Sequence, residues 1–264
     1  MKDKCPYYEA NCGNCIKACP KYLAYEKIQE PGIIEQTIEE LGVDPTIPTW
    51  NLLMAMQSKF AARFHKVDNL TKIEMDHWIN AYLVCIEDEV REVREHLNIY
   101  PDDLIAKNNM NELEKEFIDI IHFVMDEFIS GGASAKDIEK AYMNKYYLEK
   151  IISGEIINDF MKFAYNKQEI EVKELYKDYS RDITILLLTS KLLDCSGKVR
   201  QCISWKHWKK ASDKINFDKL NDAFAETFKT LIDCYCILDM NSDKIREIYV
   251  NKNVENCLRQ SLGY

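Results

Sequence analysis

A chain of 264 residues with 35 Lys and Arg against 44 Asp and Glu, a formal charge of −9, can form one large domain or two small ones and bury a substantial core. The acidic balance argues against a nucleic-acid or anionic-membrane partner, because phosphate backbones select basic faces; an acidic enzyme can still act on phosphates if a metal ion neutralises them. No apolar run of about 20 residues spans a bilayer, and the opening "MKDKCPYYEANC" lacks the apolar core of a signal peptide, so the expectation is a cytoplasmic protein.

The first candidate element is "CPYYEANCGNCIKACP", which sets Cys5, Cys12, Cys15 and Cys19 at C-x6-C-x2-C-x3-C, followed by proline. Four thiols so close together suit tetrahedral Zn²⁺, which would hold a small unit over residues 1–30 that has little core of its own. The C-x2-C-x3-C-P portion also resembles iron–sulfur runs, and thiols without metal are the third reading. The other six cysteines are scattered among apolar residues and read as buried free thiols.

From about Trp50 the apolar spacing is helical nearly throughout. "LLMAMQSKFAARF" and "WINAYLVCIEDEVREVREHL" each carry an apolar stripe. "NELEKEFIDIIHFVMDEFI" is apolar almost all the way round, which marks a helix packed on several sides. It stops at Gly131 and Gly132, and Ser134 is placed to cap the next helix. The alternating pattern of strands is absent, so the predicted fold is an all-α helical bundle.

"DIEKAYMNKYYLEK" and "DKIREIYVNKNVEN" align Tyr142 with Tyr249 and Lys145 with Lys252, an offset of 107 residues. The same offset sets "NELEKEFIDIIHFVMDEF" against "DKLNDAFAETFKTLIDCY", and "WINAYLVCIEDEV" falls opposite "ITILLLTSKLLDC". Two related helical hairpins, about residues 76–150 and 182–257, therefore build one bundle over 31–264. The copies differ in charge. Glu116 lies opposite Ala223, Asp119 opposite Glu226, and Glu89 and Glu92 near Cys195 and Lys198.

Residues three apart share a helical face, so Glu89 projects with Glu92, and Glu116 with Asp119. The short connection "NIYPDDLIAKNNMN" predicts antiparallel neighbours whose acidic pairs face each other. The first pair sits in "EDEVREVREH", where Glu87–Arg91 and Arg91–Glu95 are the i,i+4 pairs of an ordinary wet surface. The second pair lies among Phe117, Ile118, Ile120 and Ile121, where an uncompensated carboxylate costs several kcal/mol, on the order of the desolvation penalty of a buried ion. With no Lys or Arg on that face, four carboxylates favour a hard divalent ion, Mg²⁺ or Mn²⁺. His122, next on the stripe, would orient a carboxylate, touch substrate or simply pack.

These residues carry a resemblance. Glu89-V-R-Glu92 followed by Glu116-F-I-Asp119 resembles the E-x-x-E … E-x-x-D signature of the all-α nucleoside triphosphate pyrophosphatases, the superfamily of MazG-like enzymes and dimeric dUTPases. "EFIDIIHF" is similar to the dimeric dUTPase segment that ends in His-Phe, and "KNVENCLRQSLGY" to that family's closing K-N-x-x-N-x-x-R-Q-x-x-G-Y. The similarity runs from about Trp50 to Tyr264.

The resemblance implies an enzyme that hydrolyses dUTP to dUMP and pyrophosphate, usually as a homodimer. Glu89, Glu92, Glu116 and Asp119 would bind two or more Mg²⁺ ions, with a carboxylate of the set such as Glu92 acting as general base. Lys252 and Arg259 would hold phosphate oxygens. Gln57, Asn253 and Asn256 would offer their amides to a uracil edge, and Tyr264 would pack against the sugar. The sequence departs from the family after E-x-x-E, where "LNIYPDDL" replaces a Trp/Lys-rich motif; "SWKHWKK", with Trp205 and Trp208, stands in the second repeat instead. Another base, as in dCTP or a purine dNTP, is the alternative substrate. A zinc-knuckle interaction protein with an inactive bundle is the reading from another functional class.

Overall fold

The computed structural model describes residues 20–66, 70–97, 110–152, 156–203 and 215–263. Cys5, Cys12, Cys15 and Cys19, the Trp205–Trp208 segment and Tyr264 lie outside them. The described residues are helical and contain no strand: α1 (Pro20–Ile28), α2 (Ile33–Leu41), α3 (Thr49–Phe60), α4 (Lys72–Glu95), α5 (Met110–Ser130), α6 (Ala135–Tyr146), α7 (Leu148–Ile152), α8 (Phe160–Leu175), α9 (Arg181–Cys202), α10 (Phe217–Ile237) and α11 (Ser242–Ser261). The fold is the expected all-α bundle. No described helix is long and apolar enough to cross a membrane.

Local chemistry explains several boundaries. Thr71 and Ser134 each cap their helix in a reciprocal box, with Glu74 and Asp137 returning the bond to the cap backbone. α5 ends where Gly132 turns into the left-handed region, at φ 77°. Two helices precede the region where periodicity was strongest. α1 and α2 pack against α11, and Ala24 of α1 is fully buried, so the chain joins the bundle from Pro20 and overlaps the unit expected over residues 1–30. α3 runs on into a π turn over Ala61–His65.

The 107-residue offset recurs in the spacing of the elements. α5 and α10 begin at Met110 and Phe217, and α6 and α11 at Ala135 and Ser242, each 107 residues apart. α4 pairs with α5 as α9 pairs with α10, and α4 also lies along α9. The core between the halves is aromatic. Trp50, Phe160 and Phe228 meet with centroids 4.8 to 6.2 Å apart, and Tyr142 adds an edge to Phe228 at 5.6 Å. Each such buried side chain contributes about 1.5–3 kcal/mol over exposure. Trp50 Nε1 donates to the Ala135 carbonyl at 3.0 Å, which ties α3 to the start of α6. The six cysteines among the described residues are all free thiols.

Candidate metal centre

The pairing of α4 with α5 is antiparallel: Glu89 and Glu92 meet Glu116 at one end, and Tyr82 meets Phe123 further along. One carboxylate oxygen from each of Glu89, Glu92 and Glu116 falls within 4.8 Å of the other two. Such crowding is unfavourable between ionised groups. Burial, and then the charges of Asp119, Glu92 and Glu116, push Glu89 up to about 8, while Lys252 pulls the other way. Burial, followed by Asp119 and Glu92, pushes Glu116 up to about 7. The cause is partial desolvation combined with like charge, which a divalent cation would reverse. Three converging oxygen donors, with a fourth carboxylate beside them, fit a hard ion.

Asp119, the fourth expected ligand, is turned to a lysine. Lys252 Nζ reaches across from α11 and donates to Asp119 Oδ2 at 2.6 Å. No basic residue was expected on this face from the sequence of α5 itself; the one present comes from the other repeat, 133 residues away. Burial disfavours charge on Lys252, but Asp119 beside it carries the ammonium above its usual range. Arg259 lies close enough to oppose that charge and pairs with Glu255 at 2.5 Å. Lys252, Asn256 and Arg259 follow one another at helical spacing, and each of the two cations is paired with an acid, Asp119 and Glu255.

The second repeat repeats this arrangement with the charges altered. Glu226, opposite Asp119 in the repeat, accepts from Lys145, opposite Lys252, at 3.2 Å. It also accepts from Lys198, which occupies the neighbourhood of Glu92 in the first copy. Each half thus supplies the lysine for the other half's acid. Two lysines hold Glu226 below the usual carboxylate range in spite of its burial. The second centre is neutralised by protein, whereas the first keeps three carboxylates together.

His96, which the sequence did not single out, completes the first centre. It caps α4, and its Nε2 lies 3.7 Å from Glu116 Oε1. Arg91 pairs with Asp88 and Glu95, as a solvated face should, but Glu87 bonds instead to Arg200 of α9 at 2.8 Å. The expected Glu87–Arg91 pair is replaced because α9 packs along this side of α4.

Of the three residues expected to read a base, two are together and turned inward. Gln57 and Asn253 are buried, and Gln57 Oε1 accepts from Tyr249 Oη at 2.7 Å and from Asn253 Nδ2 at 3.1 Å. Asn256 lies half-buried on the rim with Lys252, away from Asn253. His122 is a core residue that donates from Nδ1 to the Ile118 carbonyl at 2.7 Å and stacks on Tyr249 at 4.2 Å. Burial lowers it to about 4, which leaves the ring neutral. Two acids of α5 were overlooked. Asp126 is buried beside Gln57, and burial pushes it up to about 8. Glu127 is fully buried, with its charge opposed by burial and favoured only by Arg200. The signal was present, since both acids interrupt the same all-round apolar run as Glu116 and Asp119.

The chain matches no known protein family, no curated protein and no solved structure.

Proposed function

We propose that this chain is a Mg²⁺-dependent nucleoside triphosphate pyrophosphohydrolase, with dUTP the substrate favoured by its resemblance to dimeric dUTPases. The observation that carries the reading is the convergence of Glu89, Glu92 and Glu116 beside the Asp119–Lys252 pair. Acids gathered against their own repulsion, with a lysine and an arginine on α11 that phosphate oxygens could draw from their present partners, fit a divalent cation together with a polyphosphate. A bound ion would offset the carboxylates' repulsion, draw in the phosphates and lower the pKa of water.

The chain's own groups supply the rest. Lys252 and Arg259 present donors to phosphate oxygens from α11. The Glu92 side chain, 43% exposed against 15% for Glu116 and 18% for Asp119, faces solvent enough to take a proton from an attacking water. As the water oxygen bonds to phosphorus, the bridging P–O bond breaks and pyrophosphate leaves with the electron pair. Lys252 and Arg259 face the charge that develops there.

The test is pyrophosphate release from each dNTP with Mg²⁺. Release from dUTP supports the full reading. Release only from dCTP or a purine dNTP keeps the chemistry and changes the base. Release from none removes the enzyme reading.

A further inference from the structure

The imidazole beside the acidic trio is buried with its bonding incomplete. The His96 side chain is 10% exposed, yet neither ring nitrogen hydrogen-bonds to a described residue. Nδ1 is walled in by protein without a partner, and Nε2 faces Glu116 Oε1 at 3.7 Å, too far for a direct hydrogen bond. A polar ring nine-tenths buried in this way costs free energy unless an ion or a water completes it.

The separation favours the ion. Two donors about 2.1 Å from one cation stand about 3.0 Å apart at a right angle and about 4.2 Å apart when opposite. Two groups each about 2.8 Å from one water stand about 4.6 Å apart at the tetrahedral angle. The observed 3.7 Å lies inside the first range and is short for the second. Further donors lie on the same side. Glu92 precedes His96 by one turn and shares its face of α4. Glu116 is one of the three carboxylates within 4.8 Å of one another, a group that His96 does not join. An ion held by His96 would therefore sit at the flank of the trio, with Glu116 shared. The lysine of this centre does not fill that place, because Lys252 is bonded to Asp119.

Resting on the metal centre proposed above, we propose that His96 is a ligand of that centre through Nε2, sharing an ion with Glu116 and with Glu92 as the third protein donor. The imidazole makes this flanking position one for a first-row transition ion rather than Mg²⁺. Imidazole nitrogen suits ions such as Fe²⁺ and Zn²⁺, whereas Mg²⁺ takes oxygen donors and keeps several of its waters. The all-oxygen position among Glu89, Glu92 and Glu116 keeps its preference for Mg²⁺.

Metal binding to the full chain tests the proposal without requiring turnover. Pulsed EPR at saturating Mn²⁺ should show coupling to a coordinated nitrogen in the wild type and none in His96→Gln. By titration calorimetry, folded His96→Gln should bind Co²⁺ at least about tenfold more weakly, the lower end of what loss of a metal-site partner costs. Its Mg²⁺ affinity should stay within about threefold of wild type, whereas a histidine that merely packs beside the acids would lower both affinities alike. Wild type without nitrogen coupling overturns the proposal even if the variant fails to fold, and a water between His96 and Glu116 gives that result. So does a folded variant that keeps the coupling or weakens both ions equally. Failure of pyrophosphate release alongside retained nitrogen coupling would remove the hydrolase reading and leave His96 a ligand.

Discussion

Glu116→Gln separates a metal centre from an ordinary acidic surface, because the two give opposite signs. The Glu116 side chain is 15% exposed, and its carboxyl is raised from 4.5 to about 7. Held ionised at pH 8 in the metal-free protein, it costs roughly 3 kcal/mol by the free-energy equivalent of that displacement. Solvent screening and the polarity of glutamine reduce the gain on substitution to about 1–3 kcal/mol. The metal-free variant should therefore be more stable than wild type at pH 8, with the advantage gone near pH 4.5. Urea unfolding in EDTA at the two pH values measures both quantities. The same variant should lose most of the stabilisation that Mg²⁺ confers on wild type, and most pyrophosphate release. A metal-free Glu116→Gln protein less stable than wild type at pH 8 would refute the electrostatic argument. One that retains full Mg²⁺ stabilisation would refute the assignment of Glu116 as a ligand.

The same groups set the pH dependence of the wild type. The folded carboxyls of Glu89 and Glu116 titrate at about 8 and about 7, above their ordinary 4.5, so between pH 4.5 and 8 the folded state binds more protons than the unfolded state. Metal-free stability should fall as pH rises through that window, and the increase in melting temperature with Mg²⁺ should grow, as differential scanning calorimetry would show. Lys252→Met leaves Asp119 without its cation and should destabilise the metal-free protein by about 1–3 kcal/mol in urea unfolding, within the range for an orphaned charge partner. Gly131→Ala should cost about 1–3 kcal/mol, since its Cβ would meet Phe224 ring carbons at 2.9 and 3.0 Å. An unchanged urea midpoint for that variant would mean the Phe224 ring gives way freely.

Helices and the repeat were legible because both leave periodic marks: the apolar stripe of α4, the all-round apolarity of α5, and the Tyr-Lys spacing shared by α6 and α11. The acidic trio was legible because Glu89 and Glu92, then Glu116, follow helical spacing on neighbouring helices. The partner of Asp119 was not, because Lys252 arrives from a distant helix by tertiary packing. Glu87 was assigned to Arg91 for the same reason, since local spacing knows nothing of Arg200. Gln57 and Asn253 were picked out by resemblance, but only the fold shows that they bond to each other and to Tyr249. The early helices α1 and α2 lack a long stripe, and their docking on α11 comes from contacts far along the chain.

The crossed lysines have a consequence for how the centre could have arisen. Lys252 serves Asp119 and Lys145 serves Glu226, the exchange that two identical subunits make across an isologous interface. Between separate identical chains, any substitution would appear at both centres at once. Fusion into one polypeptide removes that restriction, because each copy can mutate alone. In this chain the two centres do differ: Lys198 and Lys145 both hold Glu226, while Glu89, Glu92 and Glu116 stay together at the other. Two centres so differently charged are open to a single chain carrying both halves and closed to a symmetric pair of identical half-length chains.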